Sequence, residues 1–210
     1  MIRILIADDH AIVREGLKQI VSKEADMAVT GEAGTAAAMF ELLDSIACDI
    51  VVLDISMPGE SGLEALKELR QKYPGLPVLI LSIYSEDQYG IRALKAGAAG
   101  FLKKVSAPVE LVHAIRKIIQ GGRYISEPLA DKMADHLSSG SQLPHESLSD
   151  REYQIMCQIA SGMTAEEIAG QLNISVHTVY SYRNRLLEKM KMKSNVELTR
   201  YVVQNKLIDT

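Results

Sequence analysis

The sequence predicts two units of different class: a doubly wound α/β domain on a five-stranded parallel sheet, then an all-α four-helix domain containing a helix-turn-helix. Three observations carry this expectation. Short apolar runs alternate five times with amphipathic stretches as far as Gln120, the pattern of a parallel sheet covered on both faces. Two of those runs, Ile4-Leu5-Ile6-Ala7 and Ile50-Val51-Val52-Leu53, end on carboxylates at Asp8-Asp9 and Asp54. Beyond Ser149 the apolar runs stop, and capping signatures open one helix after another.

The strand candidates are Arg3–Ala7, Ala28–Ala33, Ile50–Leu53, Val78–Leu81 and Gly100–Leu102. Helical spacing fills the gaps, with Ile12, Leu17, Ile20 and Val21 in the first and Leu63, Leu66 and Leu69 in the third. Ser61-x-x-Glu64 and Ser85-x-x-Gln88 are capping boxes. Pro108 suits the first turn of a last helix, Val109 to Gln120, because the amide it lacks has no helical partner there. Gly121-Gly122 ends that helix, so a first domain of residues 1–122 is expected. A linker over 123–147 follows, in which Ser126 to Leu137 would form one more helix before the flexible run SSGSQLPHES. The last domain, 148–210, opens with capping boxes at Ser149-x-x-Glu152 and Thr164-x-x-Glu167, separated by Gly162. A third helix runs from Ser175 to about Met190 and a fourth starts at Ser194.

Composition narrows the class. At 47% hydrophobic and 24% charged, the chain is ordinary globular protein and not a disordered one. No apolar stretch is long enough to span a bilayer, and the N-terminus turns acidic too soon for a signal peptide. A cytoplasmic protein with no membrane partner is expected. Cys48 and Cys157 lie far apart and read as buried reduced thiols, and the five histidines show no metal-ligand spacing. The net charge of −4 argues against a non-specific polyanion binder. It conceals an asymmetry: Ser175 to Lys206 carries seven Lys/Arg against Glu188 and Glu197, a basic face suited to a local polyanion contact.

Carboxylates crowded at strand ends repel and need a counter-charge. If the two strands are neighbours, Asp8, Asp9 and Asp54 share the crevice at the C-terminal edge of the sheet, where open α/β sheets bind ligands. Ser82, ending the fourth strand, and Lys104, just past the fifth, fall on the same edge. Asp9 and Asp54, with a backbone carbonyl from the following loop at Ser56, can supply the oxygen ligands that Mg²⁺ prefers. A carboxylate beside Mg²⁺ can attack phosphorus, and the ion, the Lys104 ammonium and the Ser82 hydroxyl would meet the charge that develops on the phosphoryl oxygens. A phosphatase using Asp54 as nucleophile needs a second carboxylate close behind it as general acid. Ile55-Ser56-Met57 provides none. A nicotinamide domain is equally poor, since no GxGxxG follows the first strand. A small-molecule-sensing regulator would not need the acidic set.

IADDH, VVLDISMPGESGLE, the Ser82 position and GAAGFLKK together resemble the receiver domain of bacterial two-component response regulators, over about residues 1–120. That resemblance implies a flavodoxin-like receiver in which Asp54 accepts phosphate from a sensor histidine kinase or phosphorelay protein. It places Asp8 and Asp9 at the Mg²⁺ site and makes Lys104, not Lys103, the site lysine. Phe101 would be the switch aromatic, turning inward as Ser82 moves toward the phosphoryl group. Ser56 would tune the lifetime of the phosphorylated state. Val105 stands where many receivers have proline, which leaves the isomer of the Lys104-Val105 bond open.

In the last domain a short helix, a turn through Asn173-Ile174-Ser175 and a longer helix have the spacing of a helix-turn-helix, whose second helix enters the major groove. Ile168, Leu172, Ile174, Val179 and Leu186 would be buried, leaving His177, Tyr180, Ser181, Asn184, Arg185 and Lys189 outward. The stretch LSDREYQIM…ASGMTAEEIAGQLNISVHTVYSYRNRLLEKM resembles the LuxR-type DNA-binding domain, and joined to a receiver it resembles the NarL/FixJ class of response regulators. The run TVYSYRNR is most similar to the GacA/UvrY and EvgA/BvgA branches. By motif position Tyr180, Ser181 and Asn184 would face base edges, while Ser175 at the helix start, Thr178, Tyr182, Arg185 and Lys189 would meet DNA, chiefly at phosphates. The resemblance implies a phosphorylation-activated DNA-binding transcriptional regulator rather than an enzyme, with double-stranded promoter DNA as partner and a homodimer when phosphorylated.

Overall fold

A computed structural model describes residues 1–57, 61–84, 86–139 and 143–208, and the side chains of these except 87, 88 and 135–139. The chain divides into two compact units, Met1–Ala130 and Asp131–Thr210.

In the first unit the strands are β1 (Ile2–Ala7), β2 (Met27–Ala33), β3 (Ile50–Asp54), β4 (Val78–Ser82) and β5 (Gly100–Lys103). They form one parallel sheet in the order β2-β1-β3-β4-β5. Its helices are α1 (Ala11–Val21), α2 (Ala36–Leu43), α3 (Gly62–Lys72), α4 (Glu86–Lys95) and α5 (Ala107–Ile119), and α6 (Glu127–Ser139) crosses the boundary between the units. Every side chain of β3 and β4 is buried, as a central strand covered on both faces requires. On one face, Ile4, Ile6, Ile50, Val52, Leu79 and Leu81 pack against Leu17 and Val21 of α1 and Leu111, Ile115 and Ile118 of α5. Each such side chain contributes about 1.5–3 kcal/mol on leaving water.

Three differences from the sequence expectation are instructive. Ile12 lies 83% exposed, not in the apolar stripe of α1. The stripe is Val13, Leu17, Ile20 and Val21, whose spacing fits a single helix face, and Ile12 falls one residue off it. The helix α5 begins at Ala107, so Pro108 sits in its first turn and Val109 is solvent-facing. Cys48 is half-buried, while Cys157 is buried; neither forms a disulfide. The capping box at Ser61 and Glu64 forms as expected, whereas the one expected at Ser85-x-x-Gln88 falls outside the described residues.

The first unit also runs past Gly122. Tyr124 lies along β5, its N–H donating to the Ala99 carbonyl (3.0 Å) and its carbonyl accepting from Phe101 N–H (3.0 Å). A Cβ on Gly100 would meet the Tyr124 carbonyl oxygen at 2.7 Å, so the strap fits only against glycine. The Tyr124 hydroxyl donates to Glu110, and the Ser126 hydroxyl donates to Glu86. Leu129, buried, sits over Gly90 of α4.

The second unit contains α7 (Asp150–Ala160), α8 (Ala165–Leu172), α9 (Val176–Met190) and α10 (Asn195–Gln204). Ser149, Thr164, Ser175 and Ser194 cap them, the first two with complete capping boxes. Gly162 (φ +85°) and Asn173 (φ +51°) supply the left-handed turns that end α7 and α8. Ile155, Met156, Ile168, Leu172, Val179, Leu186, Leu198 and Val202 are buried; Ile174, expected in the core, is only half-buried.

Candidate functional site

Register builds the acidic crevice. Ala7 pairs with Leu53 and Asp54 with Leu81, so the ends of β1, β3 and β4 stand level at one edge of the sheet. Asp8 and Asp54 are each 1% exposed, and Asp9 is partly exposed. Just past β3, the Ile55 carbonyl accepts from Gly62 N–H (2.9 Å). A Cβ on Gly62 would lie 2.1 Å from the Asp54 carbonyl oxygen and 2.7 Å from Ile55 Cα. Glycine at 62 is thus what lets α3 start against the Asp54 backbone.

Lys104, in the single 3₁₀ turn Lys104–Ser106 after β5, places its ammonium 2.6 Å from Asp8 Oδ2 and 2.9 Å from Asp54 Oδ2. Ser56 N–H donates to Asp54 Oδ1 (3.1 Å). Burial pushes the Asp54 carboxyl above the ordinary carboxylate range, against the opposing pull of Lys104. Burial alone would lower the Lys104 ammonium, but the Asp54 charge and the bonds to both carboxylates outweigh it and raise it. A protonated lysine therefore holds the two buried acids together. Ser82, fully buried, accepts at its Oγ from Tyr84 N–H (3.0 Å), and the Phe101 ring on the neighbouring strand is also fully buried. The inward position of Phe101 thus coexists with a Ser82 hydroxyl still bound to Tyr84. Lys103 is half-exposed, and no cis peptide bond occurs among the described residues, so Lys104-Val105 is trans.

Sequence reasoning missed His10. Its backbone N–H donates to Asp8 Oδ1 (2.9 Å), and its Nδ1 lies 2.7 Å from Asp9 Oδ1 and 3.4 Å from Asp8 Oδ1. A search for regularly spaced histidines overlooks a single one whose partners are carboxylates. Arg14 of α1 donates to the Asp8 carbonyl (2.6 Å), tying the helix to the crevice wall. The residues fit a hard cation: Asp8 Oδ2, Asp9 Oδ1 and Ser56 Oγ are buried oxygens, the first two paired only with Lys104 and His10 among the described residues and the third accepting no hydrogen bond there.

In the second unit, α9 presents Tyr180, Asn184 and Arg185 as exposed side chains. Ser175 spends its hydroxyl oxygen on the Thr178 N–H (3.0 Å), and the two hydroxyls are 2.8 Å apart. Ser181 donates back to the His177 carbonyl (3.0 Å), and the Arg185 guanidinium lies 5.2 Å from the centre of the Tyr182 ring. Lys189 faces outward as expected, and its ammonium is also 2.7 Å from Glu152, the buried capping carboxylate of α7. Arg183, absent from the expected contact set, donates to Asn195 (2.6 Å) and to Asn184 (3.3 Å). Among the described residues no helix is long and apolar enough to cross a membrane.

Residues 4–116 match the response regulator receiver domain family, and residues 146–202 match the luxR family of bacterial regulatory proteins. The chain is 38% identical over 211 residues to the response regulator UvrY of Escherichia coli K12, covering 99% of this chain and 96% of that protein. It is 35% identical over 211 residues to the response regulator GacA of Pseudomonas aeruginosa, covering 100% and 99%. Among solved structures, a LuxR-family two-component response regulator from Aurantimonas superposes with a TM-score of 0.59 at 36% identity, covering 65% of this chain and 97% of that one. Salmonella RcsB, bound to the rprA promoter with the phosphomimetic BeF3-, superposes with a TM-score of 0.66 at 24% identity, covering 96% and 98%, a likeness of fold.

Proposed function

The chain belongs to the two-component response regulators that join a receiver to a LuxR-type DNA-binding domain, and from that premise we propose that Asp54 is its phosphoryl acceptor and α9 its reader of promoter DNA. The observation that carries the first half is the Lys104 ammonium held between Asp8 and Asp54 in a buried crevice. An Asp54 carboxylate oxygen attacks the phosphorus of a phosphohistidine on a histidine kinase or phosphorelay protein; the O–P bond forms, the N–P bond breaks, and the imidazole leaves with its electron pair. Lys104 then turns from its carboxylate partners to the phosphoryl oxygens, and Ser56 N–H stays within reach of the same charge. Asp8, Asp9, Asp54 and the Ser56 carbonyl would hold Mg²⁺, which would supply charge neutralisation at those oxygens. Ser82 exchanges the Tyr84 amide for a phosphoryl oxygen, and Phe101, one strand over, senses the shift.

The output is DNA binding. Tyr180, Ser181 and Asn184 face base edges, while Ser175, Thr178, Tyr182 and Arg185 meet the backbone. Phosphorylation biases a receiver equilibrium toward homodimers that occupy paired half-sites one helical turn apart. The test incubates wild type and Asp54→Ala with Mg²⁺ and a small phosphodonor. Acid-labile phosphate on wild type alone is expected, and equal labelling of both proteins overturns the assignment.

A further inference from the structure

We propose that the crevice is a mixed nitrogen–oxygen cation site with His10 as its nitrogen ligand, so that it favours a borderline first-row cation such as Mn²⁺ or Co²⁺ over hard Mg²⁺. The proposal rests on the reading of the crevice as a cation site and names what that site selects. Asp8, Asp9, His10 and Asp54 each offer one ligand atom, and these atoms all lie within 4.8 Å of one another. His10 Nδ1 stands 2.7 Å from Asp9 Oδ1 and 3.4 Å from Asp8 Oδ1. The Asp8 side chain is 1% exposed, and its Oδ2 is paired with the Lys104 ammonium at 2.6 Å.

His10 is the N-cap of α1, yet its side chain makes no capping bond, and the helix uses only its backbone. The imidazole is 61% exposed, which puts it at the mouth where an ion enters. Carboxylate and carbonyl sets suit Mg²⁺, whose demand for oxygen is strict, whereas imidazole raises affinity for Mn²⁺ through Co²⁺ and beyond. One nitrogen in a carboxylate set is thus enough to tilt selectivity without abolishing Mg²⁺ binding.

The experiment titrates the full chain with Mg²⁺ and with Co²⁺ by calorimetry at one pH, and follows the Co²⁺ visible spectrum for a nitrogen ligand. Wild type is compared with His10→Ala and with His10→Asn, which replaces the nitrogen with an amide oxygen and suits the start of a helix. Both substitutions are expected to lower the Co²⁺-to-Mg²⁺ affinity ratio by about 10–100-fold, the scale of disturbing a metal's ligand environment, and to alter the spectrum. A ratio unchanged in both variants, with binding still dependent on Asp9 (tested by Asp9→Asn), overturns the role of His10 and leaves the cation site standing. If neither ion binds wild type, or Asp9→Asn binds both as wild type does, the cation reading itself falls.

Discussion

The acidic crevice and the face of α9 are both polar, but they are organised in opposite ways. In the crevice, Asp8 and Asp54 are buried and Lys104 spans them at 2.6 and 2.9 Å, so the charged groups are already arranged around the place where chemistry would occur. On α9, Tyr180, Asn184 and Arg185 are exposed, and most polar contacts run within the helix itself, as between Ser175 and Thr178 or Ser181 and His177. A site that stabilises developing charge gains from fixed groups that need no reorganisation. A surface that reads base edges gains from donors left available until the partner arrives. Rigidity should therefore be costly to disturb in the first region and cheap in the second, and substitutions can test that contrast.

The largest effect is expected at Gly62. Any Cβ there meets backbone on two sides, the Asp54 carbonyl oxygen and Ile55 Cα, and backbone cannot swing aside as a flexible side chain can. Gly62→Ala should cost more than about 4 kcal/mol in denaturant unfolding, the exceptional end of single substitutions, and should abolish phosphate acceptance. A cost below about 1 kcal/mol would mean that the loop behind Asp54 yields, and the crevice would lose its claim to rigidity. Next comes Lys104→Met, which leaves two buried carboxylates facing each other without a cation. About 3 kcal/mol of stability should be lost at neutral pH. Added Mg²⁺ should restore more stability to this variant than to wild type, because the ion then replaces the missing positive charge; thermal unfolding with and without Mg²⁺ measures the difference.

How much of each region was legible in the sequence follows from the same contrast. Strand ends fix position: once Ile4–Ala7 and Ile50–Leu53 are neighbours, register alone brings Asp8 and Asp54 together, and Lys104 follows from the end of β5. His10 escaped because its nearness to Asp8 and Asp9 depends on where one exposed ring points. Ile12 was misplaced because a helix stripe read one residue off still looks apolar. The Tyr124 strap had no apolar period to announce it: it is held by backbone bonds to Ala99 and Phe101 and by clearance over Gly100. On α9 the capping signals, the core positions and the outward Lys189 were plain, but the Lys189–Glu152 pair joins residues far apart in sequence, which charge pattern alone does not show.

On the α9 side the effects should be smaller and should appear in binding rather than folding. Asn184→Ala should lose about 1–3 kcal/mol of discrimination between promoter and unrelated DNA. Arg185→Ala should weaken all sequences alike and reduce the salt slope by about 1. Fluorescence anisotropy across a salt series separates the two. If Asn184→Ala leaves selectivity intact, base reading lies elsewhere on the helix, with Tyr180 the next exposed side chain to examine.

The smallest effect, and the one that tests the boundary between the two kinds of surface, is expected at Lys189. Its ammonium is partly exposed, but its partner Glu152 is buried and also accepts from Ser149 N–H (2.8 Å) as the reciprocal bond of the capping box. Burial alone would raise the Glu152 carboxyl, yet the Lys189 ammonium and the Ser149 bonds outweigh it and hold it below its ordinary value of 4.5. A depressed carboxylate contributes stability that is present above its unfolded value and is lost as pH falls through the folded one. Lys189→Ala should therefore cost about 1 kcal/mol at neutral pH, discounted for the exposure of the lysine, and the gap from wild type should narrow as pH drops below 4.5. Because the ammonium is already paired within the domain, its removal should change the salt slope for DNA less than removal of Arg185 does. An equal change in slope would mean that Lys189 gives up Glu152 for a phosphate on binding, and the pair would then be a latch that DNA opens rather than a fixed part of the scaffold.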